Sequence, residues 1–154
     1  MQTLCYCGSP QPFDDCCSPY IKGLNLAPSA ESLMRSRYSA YATGEMAYIL
    51  ATYASAPRSA LSLHDLQGDD SHWCKLNLLK ATEQGDSAQV EFCAYSRRGK
   101  NYFLLHELSD FCKEDGQWRY VKGHIYADSG SYAQKRNDPC LCNSGLKFKK
   151  CCGL

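Results

Sequence analysis

The sequence predicts an α+β fold: helices packed on a four-strand antiparallel sheet, with a small four-cysteine metal module at each end. Three observations predict it. Apolar residues recur at helical spacing between Ser29 and Pro57 and at strand spacing from Trp73 to Tyr126. Short turn sequences separate the strand-like runs, as in sequential antiparallel pairing. Eight of the 11 cysteines sit near the two termini in one repeated pattern, C-x-C-x8-C-C.

The 154 residues suffice for one ordinary domain plus small appendages. Only five residues are Val or Ile, against 11 Tyr and 5 Phe, which argues against a large buried parallel sheet. Lys plus Arg (17) nearly balance Asp plus Glu (16), so the chain is not a generally basic nucleic-acid binder. No apolar run approaches the ~20 residues that cross a bilayer, and no membrane association is expected. The start, Met1 to Cys7, has neither a basic nor an apolar leader region, so a cytoplasmic location is expected.

In chain order, residues 1–18 form an amino-terminal module carrying Cys5, Cys7, Cys16 and Cys17. Residues 19–28, bounded by Pro19 and Pro28, read as a linker. The central domain spans 29–130. Ser29 caps its first helix, Glu31 suits the positive end of the dipole, and Gly44 ends it. Leu33, Met34, Tyr38, Tyr41 and Ala42 share one side. A second helix carries Met46, Ile49, Leu50 and Tyr53 until Pro57 breaks it, and residues 59–68 read as a short third helix with Leu61, Leu63 and Leu66. Strands are predicted around 73–82, 88–96, 101–113 and 117–126, joined at Gln84-Gly85-Asp86, Arg98-Gly99-Lys100 and Glu114-Asp115-Gly116. Residues 131–154 form the carboxyl-terminal module with Cys140, Cys142, Cys151 and Cys152.

Each set of four thiolates matches the ligand set of a closed, structural zinc site, giving two ions per chain. Gly8-Ser9 and Ser144-Gly145 follow the first cysteine pair of each set, where the chain must reverse. A disulfide framework is the rival reading; the odd cysteine count and the absent secretion signal oppose it. Redox chemistry is the third; the pattern lacks C-x-x-C, and four thiolates leave a metal no open position.

The tail Asn137-Asp138-Pro139-Cys140-Leu141-Cys142-Asn143-Ser144-Gly145-Leu146-Lys147-Phe148-Lys149-Lys150-Cys151-Cys152 resembles the SEC-C motif, named for the zinc-binding tail of the SecA translocase. That tail often ends its ligand set with His; here the position is Cys152. The amino-terminal copy keeps the four cysteines and Phe13, but has Pro10 where the motif prefers Gly. It also has Asp14-Asp15 where the other has Lys149-Lys150, which argues against a shared partner. With Leu33-Met34-Arg35-Ser36-Arg37-Tyr38-Ser39-Ala40-Tyr41, the whole chain resembles the YchJ family of uncharacterised bacterial proteins. The resemblance implies a nuclear transport factor two-like (cystatin-like cone) middle domain, a curved sheet wrapped around helices. It supplies no reaction.

A helix pair against a curved sheet leaves room for a cavity, and Arg35, Arg37, His72, His106 and Glu107 are the polar candidates to face it. His106 and Glu107 are strand neighbours and point to opposite faces; Arg35 and Arg37 do not share a helix face. One arginine is expected to pair with an acid at the edge of the core. No nucleophile–base pair is readable, so no catalytic residue is assigned. Cys74, Cys93 and Cys112 read as buried small hydrophobes, and Trp73, Phe103, Trp118 and Tyr120 as core.

Around the tail, Lys135, Arg136, Lys147, Lys149 and Lys150 outweigh Asp138, and four metal-bound thiolates lower the formal excess from +4 to +2. Lys147, Lys149 and Lys150 are candidate docking residues. The expected function is a cytosolic protein-binding or adaptor module with structural zinc. The translocase resemblance suggests a SecB-like chaperone or the ribosome as partner. A small-molecule enzyme or carrier using the cavity is the first alternative, and weak nucleic-acid binding through the tail the second.

Overall fold

Ser29 opens the longest helix by accepting the Ser32 N–H at 3.0 Å, in a computed structural model that describes residues 3–66, 68 and 71–154. This helix, α2 (Ala30–Thr43), follows a four-residue helix α1 (Ser18–Ile21) that occupies the start of the expected linker. Gly44 closes α2 in the left-handed conformation, φ 80°. The buried side of α2 holds Leu33, Met34, Arg37 and Tyr38, with Ser36, Ser39 and Ala40 small enough for neighbours to pack close.

Helix α3 (Met46–Ala51) stops before Pro57, because the chain peels away to pair with the strand containing Tyr120. The Tyr120 N–H donates to the Thr52 carbonyl at 2.8 Å, and the Ala54 N–H to the Tyr120 carbonyl at 2.8 Å. Pro57 does not act as a breaker. It lies in the first turn of α4 (Ser55–Arg58), where a missing N–H leaves nothing unpaired. The expected helix over 59–68 does not form at 59–66; position 67 lies outside the described residues. Asp65 instead accepts the backbone N–H and hydroxyl of Ser62, at 2.9 and 3.1 Å, local bonds that compete with helix formation.

The first three strands run longer than their sequence pattern, and the fourth ends one residue sooner: β1 (His72–Gln84), β2 (Ser87–Arg98), β3 (Asn101–Glu114) and β4 (Gln117–Ile125). They pair antiparallel in chain order through two-residue turns. At Asp115-Gly116 both φ values are positive, 52° and 77°, as the twist-matched hairpin turn requires. A fifth strand, β5 (Gly130–Tyr132), pairs with the start of β3. Three residues are too few to show a period, so the sequence does not announce it. Bulges between Trp73 and Lys75, Leu78 and Lys80, and Asp110 and Phe111 bend the open sheet into a curve.

The concave face looks onto α2. In β2 every second residue, Ala88, Val90, Phe92, Ala94 and Ser96, is buried. Glu107, Ser109 and Phe111 of β3 and Trp118 of β4 join them. Cys93 and Cys112 fall on the opposite parity, and with Cys74 they are only half-buried rather than core residues. Trp118 is core as expected; Trp73, Phe103 and Tyr120 are half-buried. Cys5, Cys7 and Cys17 belong to the same buried cluster as Leu33, Val90 and Phe111. The amino-terminal segment is thus packed into the domain. Among the described residues, no helix is long and apolar enough to cross a membrane.

Candidate metal centres and a central cavity

The repeat in the sequence is a repeat in three dimensions. A short 3-10 turn, Phe13–Asp15 in one copy and Phe148–Lys150 in the other, delivers the final cysteine pair. Its first carbonyl holds the next cysteine: the Cys16 N–H donates to Phe13 at 3.1 Å, and the Cys151 N–H to Phe148 at 3.0 Å. The loop before it is closed by Cys5 N–H to Gln11 at 2.9 Å and by Cys140 N–H to Leu146 at 2.8 Å. Gly8 (φ 89°) and Asn143 (φ 65°) make the same left-handed reversal at equivalent positions. Pro10 cannot adopt the positive φ of its counterpart Gly145 (84°), so the two reversals differ in detail.

In each cluster the four sulfurs lie within 4.8 Å of one another. Cys7 and Cys16 are 3.7 Å apart, Cys16 and Cys17 4.0 Å, Cys142 and Cys151 3.3 Å, and Cys151 and Cys152 3.9 Å. Ligands of a tetrahedral ion with metal–sulfur bonds of ~2.3 Å sit about 3.8 Å apart. Disulfide sulfurs would be ~2.05 Å apart, and all 11 cysteines are free. Each cluster therefore fits one tetrahedral metal ion.

The closely packed thiols perturb one another. Hydrogen bonds from Cys17 and Cys7 hold Cys5 far below the ordinary thiol range, while the same contacts push Cys17 far above it. Burial raises Cys16 to about 11. In the other cluster Ser144 and Cys151 lower Cys142 to about 6, and Cys152 is raised to about 12, first by its bond with Cys140. Without a cation the sulfurs share protons; a divalent ion would replace them.

The two clusters differ in setting. Cys7 is fully buried, Cys5 and Cys17 nearly so, and the Cys5 sulfur touches the Ser39 hydroxyl of α2 at 3.6 Å. Arg35 clamps this loop, donating from Nη1 to the Cys7 carbonyl at 2.9 Å and from Nε to Glu31 at 3.1 Å. At the other end Cys142 and Cys152 are exposed, and only Cys140 and Leu141 are buried. This module rests on the sheet through Phe148 against Tyr102, and through Asn143 Nδ2 donating to the Cys74 carbonyl at 2.8 Å. Lys147 and Lys150 are exposed, and Lys149 is half-buried.

Between α2 and the sheet lies a cavity of about 270 Å³. Of the five polar residues expected there, it receives Arg37 and Glu107. Arg35 is taken by the loop at Cys7. His72 sits at the start of β1, paired in register with Arg97. His106 points outward, its Nε2 2.7 Å from Glu91 and its Nδ1 2.8 Å from Asp128, stacked on Tyr126. Those carboxylates, Glu91 first, raise its pKa. The arginine ion-paired to an acid is Arg35; Arg37 donates from Nη1 to the Ile49 carbonyl at 2.9 Å and to Thr52 at 2.6 Å. The rings of Tyr53 and Tyr120 flank its guanidinium at 4.6 and 4.5 Å.

Sequence reasoning missed Ser109, Tyr120 and Gly123. Ser109 and Tyr120 donate to Oε2 of Glu107, and Gly123 leaves the space that the carboxylate fills. Ser109 was discoverable, since it shares Glu107's face two residues on. Tyr120 and Gly123 depend on how β4 registers against β3.

Comparison with known proteins agrees with this architecture. A family model described as YchJ, middle NTF2-like domain, matches residues 29–123, and the SEC-C motif model matches residues 136–154. A UPF0225 protein of Photorhabdus laumondii is 39% identical over 160 residues, covering 99% of this chain and 100% of its own. A UPF0225 protein of Vibrio cholerae is 38% identical over 157 residues, covering 97% of this chain and 99% of the relative. The solution structure of a SEC-C motif containing protein from Rhodopseudomonas palustris is similar with a TM-score of 0.74 at 35% identity, over 82% of this chain and 99% of that one. A crystal structure of a SEC-C motif containing protein from Psychrobacter arcticus gives 0.68 at 30% identity, over 99% and 96%.

Proposed function

This chain belongs to the YchJ (UPF0225) family, and we propose that it is a zinc-stabilised docking protein of the cytoplasm. The observation that carries the proposal is one ligand geometry used in two opposite settings. The buried amino-terminal cluster acts as a staple between the chain start, α2 and the sheet. The exposed carboxyl-terminal cluster presents Lys147, Lys149 and Lys150 on a rigid knuckle. Four thiolates with no imidazole or carboxylate favour zinc or iron over harder ions. A closed set of four gives folding energy rather than catalysis.

Elemental analysis of protein purified without added metal tests the first half. Two equivalents of zinc per chain are expected; iron, or none with the chain still folded, rejects it. The second half predicts an acidic protein partner, since the loaded knuckle keeps a formal charge of +2 from its basic residues. SecB and ribosomes are the first partners to assay. Reversing Lys147, Lys149 and Lys150 to Glu in the full chain should weaken binding by about tenfold or more, with steep salt dependence. Unchanged affinity removes the knuckle from recognition.

A further inference from the structure

Two opposite charges line the central cavity without neutralising each other. Arg37 is 5% exposed, and of its three nitrogens only Nη1 makes hydrogen bonds among the described residues. Glu107 is 8% exposed, and only its Oε2 is bonded, by Ser109 and Tyr120. No ion pair joins the two among the described residues. Tyr120 stands between them, its ring beneath the guanidinium and its hydroxyl on the carboxylate. Each charge is thus held in place and half satisfied. The guanidinium edge of Nε and Nη2, and the carboxylate Oε1, remain for something else.

The rest of the wall is largely apolar, including Met34, Trp73, Phe92 and Leu105. A buried charge is tolerated when paired, and an unpaired one is costly. A lone anion in this space would meet Glu107, and a lone cation would meet Arg37. A neutral apolar molecule would leave both unpaired. Only a ligand that carries both signs answers the wall. The cavity, about 270 Å³, falls below the ~300–1,000 Å³ of drug-sized pockets, which limits the ligand to a small metabolite.

We propose that this cavity binds a small zwitterion of the amino-acid class. The ligand carboxylate lies on the open edge of Arg37, its ammonium on Oε1 of Glu107, and its apolar remainder against Trp73 and Phe92. The site contains no metal ligand, so it stands or falls independently of the zinc and docking reading.

The two tryptophans provide the test: Trp73 lines the cavity and Trp118 does not. The metal-loaded, isotope-labelled full chain is titrated with the common free amino acids while both indole N–H signals are followed by NMR. At least one amino acid should shift Trp73 saturably with Kd at or below about 1 mM. Its amide and its N-acetyl derivative, each lacking one charge, should bind about tenfold more weakly or worse. Glu107→Gln should weaken the free amino acid similarly and should not weaken the N-acetyl form. Should that variant misfold, the derivative comparison on the unmodified protein decides alone. Silence of the Trp73 signal up to about 10 mM of every amino acid, or equal binding of the blocked derivatives, overturns the proposal.

Discussion

Gly123→Ala should destabilise the protein chiefly through the Glu107 side chain on the facing strand. Gly123 lies opposite Ser109 in the β3–β4 ladder. A Cβ there would fall inside contact distance of the Glu107 Cδ and Oε2 and 2.6 Å from the Tyr120 hydroxyl. The backbone need not move, because the obstructing atoms are side-chain ends and the cavity offers Glu107 room to swing. Swinging breaks the bonds from Ser109 and Tyr120, each worth about 1.5–3 kcal/mol to a charged acceptor. Partial re-pairing and the ~0.5–1 kcal/mol that Ala gains over Gly in a strand offset part of this. The net loss is about 2 kcal/mol, or roughly 4–8 °C in Tm for a chain of this size. Thermal unfolding of the metal-loaded protein measures it. Glu107→Ala in the same background removes the nearer obstruction and the acceptor that holds the Tyr120 hydroxyl, so a double-mutant cycle should return a coupling of about 2 kcal/mol. A Gly123→Ala protein as stable as the parent, or additive single changes, would refute the role given to this glycine.

Two further outcomes follow from the same geometry. Cys7→Ser opens a cluster seated in the core and should lower Tm by at least about 6 °C, whereas Cys142→Ser, at an exposed cluster, should shift the main transition by less than about 2 °C; equal shifts would show that burial does not set how strongly each cluster couples to the domain's unfolding. His106, held by Glu91 and Asp128 and packed on Tyr126, has a raised pKa, so its folded form favours the proton. Its contribution is therefore complete below the unfolded value of about 6.5 and fades as pH rises through the folded one. The Tm of His106→Gln should fall below that of the parent at pH about 5.5 by more than it does at pH about 9, and an equal difference at both contradicts the pairing.

The sheet order was legible in advance because each strand is joined to the next by a short turn that contains Gly. The two cysteine clusters were legible because eight cysteines at matched intervals leave few other arrangements. The short helix at Ser55–Arg58 was not, since Pro57 carries the same sign as a breaker and as a first-turn residue. Nor was the loss of the helix expected over 59–68, where one Ser–Asp contact outweighs a weak leucine period.

Local chemistry, written in residue type and spacing, determined the α+β order, the two sulfur quartets and the opposite faces of His106 and Glu107. Such features span few residues, so the chain's own periodicity suffices to state them. Tertiary structure alone decided that one quartet is buried against α2 while its twin stays at the surface. It also decided that Arg37 and Glu107, remote in sequence, share a cavity without touching. Burial and long-range proximity depend on strand register, bulges and the approach of α2 to a bent sheet, and none of these is encoded in any one segment.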